Sequence, residues 1–484
     1  MNAVAIAPKP KLTLPRDILA CIDDGAWWRP WFNKGDWRAW KVFLKAAFGI
    51  GLMDDAELAI FRQCTGRTTP PNKQCSEAWA IAGRRGGKSR IMSLCAASLA
   101  GFVDWREHLA PGEVATCHVL ASNRKQARVV FRYIRSLFVD HPTLSRLVAR
   151  ELDDALELTN KVVIEVQTAN YRVVRGYSIC AVIADELAFW LSDEDAANPA
   201  AEIIDSLRPA MATMPNSLLM VATSPYARKG PVWDAWRRHY AKDGDPILVW
   251  QAPTATMNPT IDKRVIDEAY ERDPANAEAE FGAIFRSDIA AFVDREVVEA
   301  AVTLGCYEIP PMPGTIYSAF VDPSGGSLDS FGLAIAHRTD EGHGVLDCIR
   351  EIRPPFNPTS AVSELAQCLK SYGIDRIVGD RYGGSWPSEA FREHGIDYEP
   401  SERPKSDLYR EALPLLNSRR VELLDHPRMI GQLCALERRT ARGGRDSIDH
   451  PPGLHDDLAN VCAGAIVRVA GQPDEMEVWV RLNR

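Results

Sequence analysis

The stretch AWAIAGRRGGKSRIMSLCAASLA, residues 78–100, decides the fold of the first half of the chain. An apolar run enters a glycine-rich turn, after which Lys88 and Ser89 open a helical pattern. Glycines let backbone N–H groups approach phosphate oxygens, the lysine can reach the β- and γ-phosphates of ATP, and the hydroxyl can bind Mg²⁺. Because Ala82 stands where the consensus has its first glycine, a surface turn before a helix is the alternative. The residues predicted to bind ATP are Gly83, Arg84, Arg85, Gly86, Gly87, Lys88 and Ser89.

Acidic and hydroxyl residues follow two further apolar runs. Asp185 and Glu186 come directly after AVIA at 181–184, and Thr223 and Ser224 follow another run of this kind. The carboxyl end of a strand is where open α/β sheets bind ligands. We therefore expect Asp185 to hold Mg²⁺, Glu186 to orient or deprotonate the attacking water, and the two hydroxyls to sense the γ-phosphate. The alternatives are an acidic first helical turn and an ordinary strand-to-loop cap.

Two arginines are candidates for contact with the γ-phosphate. Arg84 lies within the loop and could reach it in cis. Arg175, ten residues before Asp185, could act on the site of a neighbouring subunit. For each of them a solvated surface position is the alternative.

The spacing of apolar runs predicts an α/β fold in two parts. Between about residues 78 and 222, short β-branched runs alternate with longer helical patterns, which is typical of a P-loop domain with a mainly parallel sheet and helices on both faces. After the proline-rich segment 309–314, three strands with tight turns, a helix and another strand predict a mixed sheet. We therefore predict a helical N-terminal segment (1–75) on the ATPase, an ATPase domain (76–290) with a helical lid at about 240–290, a linker (291–314) and a C-terminal domain (315–484).

Separated aspartates mark the C-terminal domain. Asp322 ends the strand IYSAFVD, Asp380 ends the strand RIVGD, and Asp456 and Asp457 begin a helix with a small apolar face. Carboxylates at two strand ends and a helix start can converge on a pair of Mg²⁺ or Mn²⁺ ions about 3.5–4 Å apart, which would clamp a phosphodiester. Which residue of the helical pair is the ligand stays open, and each aspartate alone could be a turn or cap residue.

A cluster of arginines precedes the helical pair of aspartates. It contains two adjacent glycines, and a flexible basic loop beside a metal cluster can bind a phosphate backbone. A solvated loop is the alternative. The predicted DNA-binding residues are Arg438, Arg439, Arg442 and Arg445.

Composition restricts the class of protein. The chain has 484 residues, of which 46% are hydrophobic and 25% charged, values typical of a folded protein of two or three domains. The net charge of −8 excludes a uniformly basic coat, so any contact with nucleic acid must be made by local patches. The 11 cysteines lack CxxC spacing, and no run approaches about 18 apolar residues. We expect a soluble intracellular protein with free thiols.

Taken in order along the chain, these motifs resemble the large terminase subunit of tailed bacteriophages and prophages. They are the phosphate loop AGRRGGKS, the segment RGYS before VIADE, the ATS at 222–224, and Asp322, Asp380 and the HDD at 455–457. The resemblance implies an ATPase that drives double-stranded DNA into a procapsid and couples hydrolysis through Thr223 and Ser224. It also implies an RNase H-like nuclease domain that cuts concatemeric DNA.

The same resemblance implies cofactors, partners and a location. The cofactors would be ATP with Mg²⁺ and two Mg²⁺ or Mn²⁺ ions in the nuclease, and Gln63 is the candidate for contact with adenine. The partners would be double-stranded DNA, the portal protein and the small terminase subunit, with no membrane. The chain would form a homo-oligomeric ring on the portal, with a monomer as the alternative for the free subunit. It would act in the bacterial host cytoplasm, transiently at the procapsid portal, and would not remain in the mature virion.

Two other functions would use the same residues. An ATP-dependent helicase or recombination enzyme would share the ATPase core, but the sequence after the ATS strand lacks further helicase motifs. A packaging ATPase with a non-catalytic, DNA-binding C-terminal domain would require the aspartates to be structural.

Overall fold

The computed structural model of the chain describes residues 17–51, 53–168, 176–190, 199–327, 329–381, 386–440, 446–451 and 454–470. These residues divide into two units, the first ending at Ser287 and the second beginning at Asp288. Within the described ranges, no helix has both the length and the apolar character needed to cross a membrane.

Short helices open the first unit and bury aromatic side chains. They are α1 (Ile18–Asp23), α2 (Arg29–Phe32), α3 (Arg38–Phe48) and α4 (Asp55–Thr65). Helix α4 begins with a capping box, in which Asp54 and Glu57 each accept a hydrogen bond from the other's backbone N–H. Trp28 and Trp40 are fully buried in a core that these helices share with the sheet. The helices are therefore part of the first unit rather than a loose extension.

An eight-stranded sheet forms the centre of the first unit. Its strands are β1 (Glu77–Ala82), β2 (Ala115–Ala121), β3 (Val148–Glu151), β4 (Ala155–Leu158), β5 (Val162–Thr168), β6 (Ser178–Asp185), β7 (Leu218–Thr223) and β8 (Ile247–Ala252). The spatial order is β3-β4-β5-β2-β6-β7-β1-β8, and every pair from β5 to β8 is parallel. The predicted mainly parallel α/β sheet is thus confirmed. The apolar runs do not indicate the antiparallel edge made by β3 and β4.

Helices cover both faces of this sheet. They are α5 (Lys88–Phe102), α6 (Arg124–Val139), α7 (Pro199–Met211), α8 (Gly230–His239), α9 (Thr254–Met257), α10 (Lys263–Arg272) and α11 (Pro274–Glu280). In β1, Ala78 and Ala80 pack in one core with α5 and α6, whereas Trp79 and Ile81 pack in the other with α7 and α8. Because successive side chains of a strand point to opposite faces of the sheet, β1 contributes side chains to the cores on both faces.

The segment predicted as a helical lid, about 240–290, contains a strand as well as helices. Strand β8 pairs in parallel with the whole of β1 and extends the main sheet. Helices α9, α10 and α11 follow it. The apolar run of β8 pairs with β1 at the edge of the sheet. The residues around this run have a helical pattern, so the sequence does not indicate that pairing.

The second unit contains a mixed sheet and a small antiparallel one. The strands are β9 (Ile289–Ala291), β10 (Val302–Thr303), β11 (Tyr317–Asp322), β12 (Phe331–Arg338), β13 (Gly344–Ile352), β14 (Arg376–Gly379), β15 (Asp397–Pro400), β16 (Val421–Leu424), β17 (Glu437–Arg439) and β18 (Ser447–Asp449). The orders are β10-β16-β13-β12-β11-β14-β15 and β18-β17-β9. Strands β11, β12 and β13 are antiparallel, while β14 runs parallel to β11. The predicted mixed sheet is therefore confirmed.

The predicted linker, 291–314, contributes structure to the second unit. It contains α12 (Arg295–Glu299) and β10, and Phe292, Val293 and Val298 are buried in the core. The remaining helices are α13 (Pro358–Ser371), α14 (Trp386–Glu393), α15 (Lys405–Asn417), α16 (Pro427–Ala435) and α17 (Asp457–Ala470). The first part of the predicted linker is thus packed into the core through these apolar side chains, and only the later, proline-rich part resembles a linker.

Helix α17 fits tightly against the mixed sheet because it carries a glycine at the point of contact. A Cβ atom at Gly464 would lie 2.3 Å from Cγ of Phe320. Phe320 lies two residues before Asp322 on β11, and α17 begins with Asp457. The close approach at Gly464 therefore fixes the helix that carries one predicted metal ligand against the strand that carries another.

We expect Gly464→Ala to lower the free energy of unfolding of the second unit by about 1–3 kcal/mol, because an added methyl group in a filled core forces its neighbours to move. Chemical denaturation followed by circular dichroism measures the change. Gly25→Ala is the matched control, since a Cβ at Gly25 meets no atom within 4 Å. Equal stability of the two variants would contradict the close contact with Phe320.

Candidate active sites

The carboxyl ends of three neighbouring parallel strands form the first candidate site. Strands β6, β7 and β1 are adjacent in that order. Asp185 ends β6, Thr223 ends β7, and the loop 83–87 follows β1. Because the carboxyl ends of parallel strands lie at the same edge of a sheet, residues distant in sequence meet there.

Lys88, the first residue of α5, is buried among acceptors from these strand ends. Its Nζ donates hydrogen bonds to the carbonyl oxygen of Ala82 and to Ser224 Oγ, each at 2.9 Å. The ammonium also lies 3.4 Å from Glu186 Oε1. The Lys88 ammonium therefore contacts the carboxyl ends of three strands, β1, β7 and β6. The structure thus brings together Lys88, Ser224 and Glu186, which were predicted from separate motifs.

Glu186 holds the end of β7 through its second oxygen. Glu186 Oε2 accepts hydrogen bonds from the backbone N–H of Ser224 at 3.1 Å and from Thr223 Oγ1 at 3.4 Å. Its backbone is left-handed, with φ 54°, a conformation that costs a non-glycine residue on the order of 1 kcal/mol. This carboxylate thus contacts both the lysine of the loop and the two hydroxyl residues predicted to couple hydrolysis.

Asp185 is a buried carboxylate with an unsatisfied oxygen. Burial raises the pKa of Asp185 to about 7, the Glu186 carboxylate adds to the rise, and the Lys88 ammonium opposes it. Within the described residues, Asp185 Oδ1 is buried and has no hydrogen-bond partner. Carboxylate and hydroxyl oxygens are ligands that Mg²⁺ prefers. Asp185 and the half-buried Ser89, the second residue of α5, therefore supply oxygen ligands of the kind that a magnesium ion would need.

Side chains from outside the motif fix the shape of the loop. Trp40 on α3 donates its indole N–H to the carbonyl oxygen of Gly86 at 2.6 Å. Thr254 and Asn258 donate to the carbonyl oxygens of Arg84 and Arg85, at 2.8 Å and 3.0 Å. Sequence reasoning did not find these anchors, because nothing in the loop motif specifies which distant segment supplies its donors.

The arginine and glutamine candidates are placed differently. Arg84 is exposed and forms an ion pair with Glu280 on α11, with 2.7 Å between Nη1 and Oε1. Arg85 is exposed in a left-handed conformation, φ 64°, and Gln63 is exposed on α4. Arg175 lies outside the described residues.

Two aspartates at strand ends form the second candidate site, in the second unit. Asp322 ends β11 and Asp380 follows β14, which is its parallel neighbour. Asn460 on α17 joins them, because its Nδ2 donates to Asp322 Oδ2 at 2.8 Å and to Asp380 Oδ2 at 2.7 Å. The structure thus brings these two predicted residues together.

Asn460 is a site residue that sequence analysis missed. It is fully buried, and its Oδ1 has no hydrogen-bond partner within the described residues. Its position three residues after Asp457, on the same helical face, was the available signal. An amide oxygen and two carboxylates are a suitable donor set for a divalent metal ion.

Burial and repulsion between the carboxylates dominate the electrostatics of this site. Burial raises the pKa of Asp322 well above its ordinary value, the Asp380 carboxylate adds to the rise, and the hydrogen bond from Asn460 opposes it. Burial likewise raises the pKa of Asp380, and the hydrogen bond from Asn460 again opposes it. A bound cation would favour the charged form of both groups.

The two aspartates at the start of α17 have different surroundings. Asp456 accepts a hydrogen bond from Tyr409 Oη at 2.7 Å and forms an ion pair with Lys405 at 3.0 Å. Asp457 Oδ2 accepts from the backbone N–H of Ser330 at 3.2 Å. Burial raises the pKa of Asp457 to about 6, and the Ser330 N–H opposes the rise.

The predicted DNA-binding arginines are described in part. Arg438 and Arg439 lie on β17 and are half-buried, and Arg439 Nη2 donates to the carbonyl oxygen of His450 at 2.8 Å. Arg442 and Arg445 lie outside the described residues.

Solved structures with a similar fold include phage terminases. The large terminase of bacteriophage HK97 is 18% identical, with a TM-score of 0.38, over 89% of this chain and 98% of that chain. The large terminase of a thermophilic bacteriophage is 10% identical, with a TM-score of 0.39, over 90% of this chain and 99% of that chain. The magnesium-bound large terminase nuclease of the thermophilic phage G20c is 18% identical, with a TM-score of 0.32, over 36% of this chain and 95% of that chain.

This chain resembles phage large terminases. No protein-family model and no curated protein sequence matches it. At these identities and TM-scores the likeness concerns the fold alone, so an activity must be inferred from the side chains of the two sites.

We expect Asp185→Asn to change the pH dependence of stability. Between the pKa of an unfolded aspartate, about 3.9, and the folded value of about 7, the folded wild type binds more protons than its unfolded state. Its stability should therefore fall relative to that of the variant by about 1.4 kcal/mol per pH unit as the pH rises through this range.

Chemical denaturation of both proteins from about pH 5 to about pH 8 measures this difference. Asp267→Asn, on the exposed side of α10, is the control and should follow the wild type at every pH. A constant difference between Asp185→Asn and wild type would show that the Asp185 carboxyl is not protonated in the folded protein.

Proposed function

We propose that the chain is a DNA-packaging motor subunit, which uses ATP hydrolysis to translocate double-stranded DNA into a procapsid and cuts concatemeric DNA with a metal-dependent nuclease. The observation that carries the proposal is the position of the Lys88 ammonium, in contact with both Ser224 and Glu186. A lysine of a glycine-rich loop, held beside a carboxylate that could position water, supplies two of the parts that phosphoryl transfer uses.

In the ATPase, Lys88 would bind the β- and γ-phosphates, and the backbone of the loop 83–87 would surround them. Asp185 and Ser89 would hold Mg²⁺, which supplies charge neutralisation for the phosphates. Glu186 would orient the attacking water and accept its proton. Arg84 would need to leave Glu280 to approach the γ-phosphate from within the loop, and Arg175 is the candidate from a neighbouring subunit.

Coupling would begin at Glu186. The same carboxylate that would hold the water also accepts the hydrogen bond from the Ser224 N–H. A change in what Glu186 binds would therefore alter the end of β7 directly. Thr223, whose hydroxyl accepts from the backbone N–H of Ala188 at 3.2 Å, connects the same point to the segment after β6.

In the nuclease, Asp322 and Asp380 would bind a divalent metal ion, which would polarise the scissile phosphodiester. Asn460 would hold the two carboxylates at a fixed separation through its paired hydrogen bonds. The arginines of the preceding segment, Arg438, Arg439, Arg442 and Arg445, would contact the DNA backbone. An RNase H-like domain would place its carboxylates in this way, at the ends of neighbouring strands.

The proposed partners follow from this activity. They are double-stranded DNA, a portal protein on which the chain would form a homo-oligomeric ring, and a small terminase subunit that selects the packaging site. DNA packaging would take place in the cytoplasm of a bacterial host, at the portal of the procapsid.

We expect Lys88→Ala and Glu186→Gln each to reduce the rate of ATP hydrolysis by about 10²–10⁴-fold, because they remove the phosphate-binding cation and the group that activates water. Phosphate release by the full chain, with Mg²⁺ present, measures the rate. Lys125→Ala, an exposed lysine of α6, is the control and should keep full activity. Normal hydrolysis by both site variants would falsify the assignment of the first site.

We expect Asp322→Asn and Asp380→Asn to lose metal-dependent cleavage of plasmid DNA while ATP hydrolysis continues, since each removes a negative charge from the proposed metal site. Agarose-gel assays with Mn²⁺ or Mg²⁺ measure cleavage. Asp397→Asn, at the exposed start of β15, is the matched control. If both site variants cut as wild type does, the aspartates are structural and the second unit is not a nuclease of this kind.

A further inference from the structure

A lysine ammonium lies beside the proposed nuclease centre, between two carboxylates. Lys405, the first residue of α15, has its Nζ 3.0 Å from Asp449 Oδ1 and 3.0 Å from Asp456 Oδ2. The His450 imidazole also lies near, with Nε2 3.9 Å from Asp456 Oδ1. Neither the ATPase nor the proposed cleavage chemistry uses this lysine.

The residues around this ammonium have the spacing of a metal site. Among the residues that the structure describes, Asp449, His450 and Asp456 have ligand atoms that all lie within 4.8 Å of one another. Two carboxylates and an imidazole are suitable ligands for Mn²⁺. The Lys405 ammonium is, however, in direct contact with both carboxylates, so the positive charge that such a group requires is already supplied by the protein.

The hydrogen bonds of Asp456 leave it poorly suited to bind a metal as well. Its Oδ2 accepts from Tyr409 Oη at 2.7 Å and contacts Lys405, and its Oδ1 accepts from Lys405 at 3.2 Å. Both oxygens are therefore engaged, and Asp456 is only 4% exposed. The neighbouring Asp457 is engaged through Oδ2 by the Ser330 N–H.

We propose that Lys405 is a resident cation of the nuclease centre, which occupies the carboxylates of Asp449 and Asp456 and so keeps Asp456 from serving as a metal ligand. Lys405 is in this sense a positioning residue: it fixes Asp456 and reduces the repulsion that the neighbouring aspartates would otherwise exert on one another. The proposal rests on the proposed nuclease function for its meaning, but it concerns metal binding and can be tested without DNA.

An ammonium that belongs to the chain neutralises nearby carboxylates at all times, whereas a metal ion that binds and dissociates does so only while it is bound. Asp456 is buried, and a buried carboxylate without a partner is strongly unfavourable, whereas a lysine carried by the chain neutralises it at every metal concentration. The two carboxylates that Lys405 contacts are therefore satisfied before any metal arrives. The donor set of Asp449, His450 and Asp456 should accept a metal only when Lys405 is removed.

The test is the binding of Mn²⁺ to the full chain, measured by isothermal titration calorimetry and by electron paramagnetic resonance of free Mn²⁺. We expect Lys405→Ala to bind one more equivalent of Mn²⁺ than wild type, at the vacated Asp449, His450 and Asp456. Lys405→Arg, which keeps the positive charge, should bind the wild-type number. Mn²⁺ should also raise the melting temperature of Lys405→Ala more than that of wild type.

A second pair of variants tests the ligand assignment even if Lys405→Ala does not fold. We expect Asp322→Asn to weaken Mn²⁺ binding by about tenfold or more, and Asp456→Asn to weaken it much less. The proposal is overturned if Lys405→Ala gains no equivalent, or if Asp456→Asn loses binding as Asp322→Asn does. Wild-type Mn²⁺ binding with this pattern but without DNA cleavage would instead reject the proposed nuclease and leave the cation assignment standing.

Discussion

A buried carboxylate must be given a cation or a hydrogen-bond donor, and this constraint governs both candidate sites. In the first unit, the Lys88 ammonium lies against Glu186 and lowers the pKa of the neighbouring Asp185, which burial would otherwise raise further. In the second unit, the neutral amide of Asn460 bridges Asp322 and Asp380. The first site has a cation in direct contact with a carboxylate, whereas the second combines the Asn460 donors with the nearby Lys405 ammonium, which opposes the rise in the pKa of Asp380.

In both units, the carboxylates and their partners meet because neighbouring parallel strands end at the same edge of a sheet. Each candidate site lies where parallel neighbouring strands end, and helix starts contribute further side chains: Lys88 from α5, and Asn460 from the first turn of α17. A strand end fixes the backbone closely, while a helix start presents several side chains over a short distance. Acidic groups that repel one another can thus be held near each other by a framework whose stability comes from apolar cores elsewhere.

Sequence analysis predicted the parts of both sites that follow from local pattern. The apolar run before Lys88 and the run before Asp185 specify buried parallel strands, and parallel strands oblige their ends to meet. The contacts of Trp40 and Asn460 could not be predicted, because they depend on where helices pack. The strand β8 and the buried start of the predicted linker were missed for the same reason, since each is decided by a partner distant in sequence.

The hydrogen bond from Trp40 to the carbonyl oxygen of Gly86 makes α3 a part of the first candidate site. The phosphate loop is often treated as a portable motif, defined by its own glycines and lysine. Here one of its carbonyl groups is oriented by a residue that precedes the first strand of the sheet. Replacement of the N-terminal helices would therefore remove a donor that orients the loop, even with every residue of the loop unchanged.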